Sequence, residues 1–163
     1  MSGDLQSGTV VSIHIAPAAE APTHAVESAH VVAGQGIEGD RYFRESGDGT
    51  FHEASKHGQD LTLIEEEAIA GLARDTGIEL GPGEARRNVV TRGVSLNDLV
   101  GRRFTVGDVE AVGNRLCDPC SHLQKITRPG VLKGLANRGG LRADVVRGGR
   151  IAPGDELREL GPA

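Results

Sequence analysis

The residues with the most distinctive chemistry stand in one short segment, Cys117-Asp118-Pro119-Cys120-Ser121-His122, called here the cysteine segment. A structural zinc ion needs four ligands, and this segment supplies three, so a distant histidine, His52 or His57, would have to complete such a site. A thioredoxin-type redox pair requires a βαβ pattern upstream, which the sequence lacks. These two interpretations stay open beside two others: a pair of small packing or surface cysteines, or a single reactive thiolate that binds a soft metal or carries sulfur.

Charge is divided unevenly along the chain. Residues 1–83 hold 14 acidic and 4 basic side chains, whereas residues 84–163 hold 9 acidic and 14 basic ones, including 12 of the 15 arginines. Arginine presents a planar fork of donors that suits phosphate and carboxylate groups. The second half therefore predicts either a solvated basic face or a site for a small anion or a phosphorylated cofactor.

Composition excludes several classes of protein. The chain is acidic overall, with a net charge of −5, and only 2% of its residues are aromatic, so neither a nucleic-acid groove nor a base-stacking platform is expected. The longest apolar-leaning stretch, Val10 to Ile15, is far shorter than the roughly 20 residues that cross a membrane. No signal peptide is visible, and two cysteines do not make a disulfide scaffold. We expect one domain over residues 1–163, located in the cytoplasm and not in a membrane.

The elements that must position the cysteine segment are mostly strands. Apolar residues alternate with period two, as in Thr9–Ile15, and the 24 glycines punctuate the pattern as turns. The pair Gly107-Asp108 joins two alternating runs, which predicts a type II′ hairpin directly before the cysteine segment. One clear helix is predicted from Glu65 to Thr76, ending at Gly77. The fold class is therefore mainly β (α+β), a closed or partly closed antiparallel β-barrel with a few short helices.

A set of motifs in a fixed order resembles a known family. They are Gly36-Ile37-Glu38-Gly39-Asp40-Arg41, Leu61-Thr62-Leu63-Ile64-Glu65, Arg86-Arg87-Asn88-Val89-Val90-Thr91-Arg92-Gly93, Leu99-Val100-Gly101-Arg102-Arg103-Phe104, Leu116-Cys117-Asp118-Pro119-Cys120-Ser121-His122-Leu123, Arg138-Gly139-Gly140-Leu141-Arg142-Ala143 and Gly149-Arg150-Ile151-Ala152-Pro153-Gly154-Asp155. In this order the chain resembles a stand-alone MOSC domain, named after the C-terminal region of molybdenum cofactor sulfurase. The resemblance is strongest over residues 26–157 and implies a MOSC-like β-barrel.

The resemblance implies that the protein binds molybdenum cofactor, a pterin dithiolene that carries a phosphate. In relatives, one cysteine thiolate is tied to the metal or to transferred sulfur. The cysteine that follows proline corresponds to Cys120, which is the expected metal ligand and catalytic thiolate. A thiolate is a suitable ligand for a soft, sulfur-rich metal centre. His122 is the second catalytic candidate, either polarising the thiolate or donating a proton.

The same resemblance implies the residues that would contact the cofactor. Arg86, Arg87 and Asn88 match the family segment near the phosphate and pterin, although a charge pair at a strand edge is the alternative. Arg138 precedes paired glycines, Gly139 and Gly140, which either let backbone approach a ligand or form a turn. The last two candidates are Asp40 and Arg41, which would shape the rim of the pocket or simply pair with each other.

Three functions remain open at this stage. The first is an enzyme that removes oxygen from a small N-hydroxylated substrate, with electrons from a donor protein. The second is a carrier that holds a persulfide on Cys120 and exchanges sulfur with a donor or acceptor protein, and the third is a structural zinc module. Within these 163 residues we expect neither the extra N-terminal domain of larger reductase relatives nor a fused desulfurase domain. No lysine stands in a pyridoxal phosphate context, so that cofactor is not supported.

Overall fold

The computed structural model describes residues 5–18, 21–43, 60–117 and 129–163. Within these ranges the strands and helices follow in this order: β1 (Ser7–Ile15), β2 (His24–Val26), β3 (Ala29–Val32), β4 (Gly36–Ile37), β5 (Leu61–Glu65), α1 (Glu66–Thr76), β6 (Val89–Arg92), a 3-10 helix (Leu96–Leu99), β7 (Arg102–Val106), β8 (Val109–Leu116), α2 (Val131–Gly134), β9 (Leu141–Arg147), β10 (Gly149–Ile151) and β11 (Glu156–Pro162). The prediction of a mainly β chain with few helices is confirmed.

Seven of these strands form a closed barrel in the order β1-β11-β7-β8-β9-β5-β6, and β6 returns to β1. The first and last strands close it, with Thr9 opposite Glu156. β2 pairs with the C-terminal end of β1. β3, β4 and β10 form a separate three-stranded sheet. The predicted closed barrel is therefore confirmed.

One barrel pairing departs from the expected antiparallel pattern. β5 and β6 are parallel, with Leu63 opposite Val89. The reason is the helix α1, which carries the chain from the end of β5 back to the start of β6, because parallel neighbours need a crossover rather than a tight turn. The apolar residues Ala68 and Leu72 of α1 are buried on the outer face of these strands. The other six barrel pairings are antiparallel.

The interior of the barrel is an apolar core built from alternate residues of its strands. Ile13, Leu61, Leu63, Val89 and Leu141 all belong to it and are less than 1% exposed. Since successive strand residues point to opposite faces, their neighbours Thr62, Asn88 and Arg142 belong to the outer face. A second apolar cluster, which includes Ile64, Leu72 and Val90, packs α1 and α2 against that outer face.

The hairpin before the cysteine segment forms as predicted. β7 and β8 pair with Val106 opposite Val109, and Gly107 and Asp108 make the turn between them. Gly107 has a positive φ of 58°, whereas the φ of Asp108 is not positive. A positive φ at only the first turn position fits the type II′ turn and excludes type I′. This hairpin leads directly to Cys117 at the end of β8.

Candidate functional site

The two residues expected to act directly on a metal or substrate, Cys120 and His122, lie outside the described residues, as do His52 and His57. Among the described residues no group of three or more histidine, cysteine, aspartate or glutamate side chains is placed to hold a metal ion. The roles assigned to Cys120 and His122 stay predictions. The described part of the site consists of the residues around Cys117, the first residue of the cysteine segment.

Arg87 links three distant parts of the chain. Its side chain is buried, and its Nε donates to the carbonyl oxygen of Gly139 at 2.8 Å, while Nη2 donates to that of Cys117 at 3.1 Å. Nη1 donates to the carbonyl oxygen of Ala85 at 3.3 Å. The guanidinium fork therefore joins the segment before β6, the end of β8 and the glycines before β9. Three regions singled out from the sequence meet at this one side chain.

Cys117 is itself held tightly in place. It is 1% exposed, and its amide donates to the carbonyl oxygen of Gly140 at 2.7 Å. Gly140 has φ of 115°, and a Cβ at this position would collide with the carbonyl oxygen of Leu63. Because Gly140 has no side chain, the start of β9 can approach the backbone of β5 closely. The root of the cysteine segment is thus fixed on both sides, by Arg87 and by Gly140.

Asp40, Arg41 and Arg86 form a second, adjoining network. Asp40 is buried and its Oδ1 accepts hydrogen bonds from the Ala16 amide at 3.0 Å and from Arg41 Nη1 at 3.1 Å. Arg41 Nη2 donates to the carbonyl oxygen of Arg86 at 3.1 Å, and its guanidinium lies 4.5 Å from the centroid of the Tyr42 ring. Of the two sequence alternatives for Asp40 and Arg41, the pairing is present. It attaches the segment Gly36–Arg41 to the Arg86–Asn88 segment.

Arg86 adopts a left-handed backbone conformation, with φ of 61°, which is uncommon for a residue with a long side chain. Its Nη1 donates to the carbonyl oxygen of Ala21 at 2.7 Å. The backbone therefore turns sharply just before β6, so that Arg86 and Arg87 reach different partners. This turn explains how two consecutive arginines come to serve two networks.

Asn88 is buried in a row of polar residues on the outer face of the barrel. The row runs across five neighbouring strands and consists of His14, Asn88, Thr62, Arg142 and Arg115, called here the outward row. Asn88 Nδ2 donates to the carbonyl oxygen of His14 at 3.1 Å, and Thr62 Oγ1 donates to Asn88 Oδ1 at 3.1 Å. The Asn88 amide in turn donates to Thr62 Oγ1 at 2.9 Å. These contacts fix the Asn88 side chain between β1 and β5.

His14 is a site neighbour that the sequence analysis did not single out. It is 6% exposed, and a hydrogen bond of 2.8 Å joins its Nε2 to Ser12 Oγ. Burial lowers the pKa of His14 below its usual value of 6.5. The burial of His14 is not evident from the sequence, because the alternation of β1 does not reveal that the loop before β6 covers this face. The close approach of Gly83 to the imidazole is the structural sign of that cover.

Arg138 is directed away from these networks. Its Nε donates to the carbonyl oxygen of Gly134 at 2.9 Å, and its Nη2 to Asp75 Oδ2 at 3.1 Å. The guanidinium beside Asp75 lowers the pKa of that carboxyl group. The described contacts of Arg138 thus connect α1 with α2, whereas its neighbours Gly139 and Gly140 contact Arg87 and Cys117.

Comparison with solved structures shows the fold. The YuaD protein from Bacillus subtilis matches with a TM-score of 0.80 and 18% identity, over 98% of this chain and 99% of that one. YiiM from Geobacillus stearothermophilus matches with a TM-score of 0.70 and 15% identity, over 94% of this chain and 75% of that one. YiiM from Escherichia coli matches with a TM-score of 0.66 and 16% identity, over 95% and 71%. A search of curated proteins finds no match.

No helix among the described residues is long and apolar enough to cross a membrane.

The model of one protein family, the MOSC domain, matches residues 48–158, which is most of the chain and includes the cysteine segment, Arg86–Asn88 and Arg138–Gly140. The sequence resemblance and the barrel point the same way. The chain belongs to the MOSC domain family.

Proposed function

We propose that this MOSC domain protein binds molybdenum cofactor, with Cys120 as the thiolate ligand of the metal, and reduces small N-hydroxylated compounds. The observation that carries the proposal is the Arg87 side chain, which ties Cys117 to the segment that holds Arg86 and Asn88. Cys120 follows Cys117 by three residues, and three residues of chain reach no further than about 10 Å. In this proposal Cys120 acts beside the Arg87 network, because it is only three residues from Cys117 in the sequence.

The donor set at this end of the barrel has the chemistry that the cofactor requires. The cofactor carries an anionic phosphate and a pterin ring with several hydrogen-bonding atoms. Arg41, Arg86 and Arg87 supply guanidinium groups, which are positively charged donors, and their acceptors include backbone carbonyl oxygens and the Asp40 carboxylate. A cationic, largely buried environment of this kind favours an anionic group. The residues present therefore fit the cofactor.

Each residue has a distinct part in this proposal. Arg87 holds the first residue of the cysteine segment, Cys117, through its carbonyl oxygen, and Cys120 is the proposed metal ligand. Arg86 attracts the phosphate. Asp40 orients Arg41, which donates to the carbonyl oxygen of Arg86. His122 donates a proton to the leaving oxygen. When bound, the molybdenum cofactor supplies two-electron oxygen-atom transfer.

The overall reaction takes an N-hydroxyl group to an N–H group and water, and it consumes two electrons and two protons. The electrons come from a separate donor protein. The small-molecule substrate and the electron donor are the partners that this function requires.

The first experiment measures what the purified protein holds. The full chain is expressed in a host that makes molybdenum cofactor, and molybdenum and pterin are quantified together. We expect about one of each per chain in the wild-type protein, with loss of molybdenum in Cys120→Ser. Because Cys117 is buried and is held by its backbone amide and carbonyl oxygen, the matched variant Cys117→Ser is expected to keep its molybdenum.

Other results would contradict the proposal. Equal loss in both cysteine variants would indicate a dithiol or a zinc site, and zinc in the wild-type protein would support the latter. Absence of molybdenum and pterin, together with a persulfide on Cys120 by mass spectrometry, would indicate the sulfur carrier instead.

A further inference from the structure

We propose that residues 81–84, called here the tip, are a pH-sensitive cover that moves away from the barrel when the buried His14 side chain takes up a proton. The tip belongs to the loop between α1 and β6 and lies against the outer face of the barrel at His14. Opening of the tip does not depend on the proposed function. Its effect on the cofactor does.

The tip approaches His14 at Gly83. A Cβ atom added to Gly83 would lie 2.9 Å from His14 Nδ1 and 2.5 Å from Thr23 Oγ1, so a larger residue does not fit without displacing the tip. Thr23 Oγ1 donates to the carbonyl oxygen of Gly83 at 2.9 Å, which holds the tip in place. Under this cover His14 is only 6% exposed, although it lies on the outer face of the barrel.

The tip can move without unfolding the loop, because the residues on either side of it are anchored. Leu80 and Ala85 are buried in the second apolar cluster, whereas the four residues between them are partly or fully exposed. The Arg86 amide donates to the carbonyl oxygen of Gly83 at 3.0 Å. Since Ala85 stays anchored next to Arg86, movement of Gly83 would break this bond together with the bond from Thr23.

A proton on His14 changes what the imidazole needs from its surroundings. The imidazolium carries a positive charge and two N–H donors. Ser12 Oγ, at 2.8 Å from Nε2, can accept one of them, whereas Nδ1 has no hydrogen-bond partner among the described residues. A buried charge and a buried donor without an acceptor are both unfavourable. Water can hydrate the charge and accept from Nδ1 once Gly83 has moved, so protonation favours the open position.

The charged neighbours of His14 do not offset this cost. Burial lowers the pKa of His14, and within the described ranges no charged group contributes to that shift. Of the nearby carboxylates, Glu84 Oε1 accepts from the Gly81 amide at 2.7 Å, and Asp40 Oδ1 accepts from Arg41. The titratable and charged residues on the elements around His14 are His24 on β2, Glu84, Arg86 and Arg87 before β6, and Asp40 and Arg41 in the segment Gly36–Arg41.

The direction of the pH effect follows from the two states. In the open state the hydrated imidazole has its ordinary pKa of about 6.5. In the closed state burial lowers the pKa of His14, so the closed state takes up the proton at a lower pH. The closed tip therefore dominates above about pH 6.5. Below that pH the open fraction rises, by at most about tenfold per pH unit.

Opening would reach the proposed cofactor site through Arg86. The Arg86 amide loses its bond to Gly83 when the tip moves, and Arg86 is the residue that attracts the cofactor phosphate in the proposed function. Acid should therefore weaken retention of the cofactor. This consequence rests on the proposed function.

The test measures hydrogen exchange of the Arg86 amide in the full chain by NMR, corrected for the intrinsic exchange rate at each pH. In the wild-type protein we expect the protection factor to fall about five- to tenfold between pH 7.5 and pH 5.5. His14→Gln cannot take up the proton, so its protection should change less than about twofold over the same range. The control His24→Gln, on the exposed strand β2, should follow the wild-type protein.

A second variant keeps the proposal testable if His14→Gln does not fold. Gly83→Ala places a methyl group against the imidazole and should displace the tip at every pH. We expect low protection of the Arg86 amide at both pH 7.5 and pH 5.5, and an imidazole NMR signal of His14 that titrates near its ordinary pKa. Gly81→Ala is the matched control in the same tip, because the nearest atom listed around its new methyl group is 3.5 Å away. It should behave as the wild-type protein.

Two results would overturn the proposal. One is wild-type protection that stays constant between pH 7.5 and pH 5.5, and the other is an equal fall in His14→Gln. Pterin content of the loaded protein at the same two pH values tests the cofactor consequence: acid should release pterin from the wild-type protein but not from His14→Gln. A protein whose tip opens in acid but that never acquires pterin would support the cover and contradict the proposed function.

Discussion

The two ends of the β8–β9 ladder carry different arrangements of charge. Near the hairpin turn, Glu110 and Arg147 oppose each other with complementary charges. At the other end Arg115 faces Arg142, and Gly140 brings β9 against the backbone of β5. The first end pairs opposite charges, whereas the second places two arginines opposite each other, two residues from Cys117.

The largest effect is expected from crowding the end beside Cys117. In Gly140→Ala the new methyl group meets the carbonyl oxygen of Leu63 at a backbone φ of 115°. Strain and crowding together should lower the free energy of unfolding by about 3 kcal/mol or more. Gly154→Ala is the control, since φ there is 93° but no described atom beyond the two chain neighbours lies within 4 Å of the new methyl group, and about 1 kcal/mol is expected. Urea unfolding of both variants measures the difference, and equal losses would show that close packing at Gly140 is unimportant.

Charge reversal at each end should give smaller changes of opposite sign. Arg142→Glu places a carboxylate opposite Arg115 and should raise the free energy of unfolding by about 0.5 kcal/mol. Arg147→Glu places a carboxylate opposite Glu110 and should lower it by about the same amount. Both changes should shrink in 1 M salt, because exposed charges are screened. Unfolding curves at two salt concentrations test this, and changes of the same sign would remove the contrast between the two ends.

The buried end of the outward row should respond to pH. Burial lowers the pKa of His14, so the unfolded chain binds this proton at a higher pH than the folded chain does. The free energy of unfolding should therefore fall as pH decreases below about 6.5, with a slope of at most about 1.4 kcal/mol per pH unit from this one group. His14→Gln should remove this part of the slope, while the exposed β2 residue His24 provides the control His24→Gln. Identical pH profiles for His14→Gln and the wild-type protein would contradict the assignment.

Local patterns carried most of the fold. The alternation in Thr9–Ile15, the Gly107-Asp108 turn and the helix that ends at Thr76 each depend on residues close together in sequence, and each is present in the structure. The parallel pairing of β5 with β6 was not predicted, because the alternation of a strand does not specify its neighbour. Pairing depends on contacts that only the complete barrel provides.

The candidate site was predictable only in part, for the same reason. Family motifs indicated Arg87 and Gly139, and the structure brings them into contact. Nothing in the sequence indicated that Arg115 stands opposite Arg142, because that relation depends on the bulge at Asn114. His14 was missed because its burial depends on the loop before β6 rather than on its own strand. Residues whose role depends on register or on cover by another segment are not identifiable one at a time.

The closure of the barrel by its first and last strands has a consequence for synthesis in the cell. β1 pairs with β6 and β11, and its pairing with β11 joins Thr9 to Glu156. Until β11 has left the ribosome, one edge of β1 has no partner, and the apolar interior stays open to water along that seam. Long-range closure of this kind makes folding slow and leaves an adhesive strand edge exposed in the meantime. We therefore expect the nascent chain to depend on chaperones that shield strand edges until its last strand is complete.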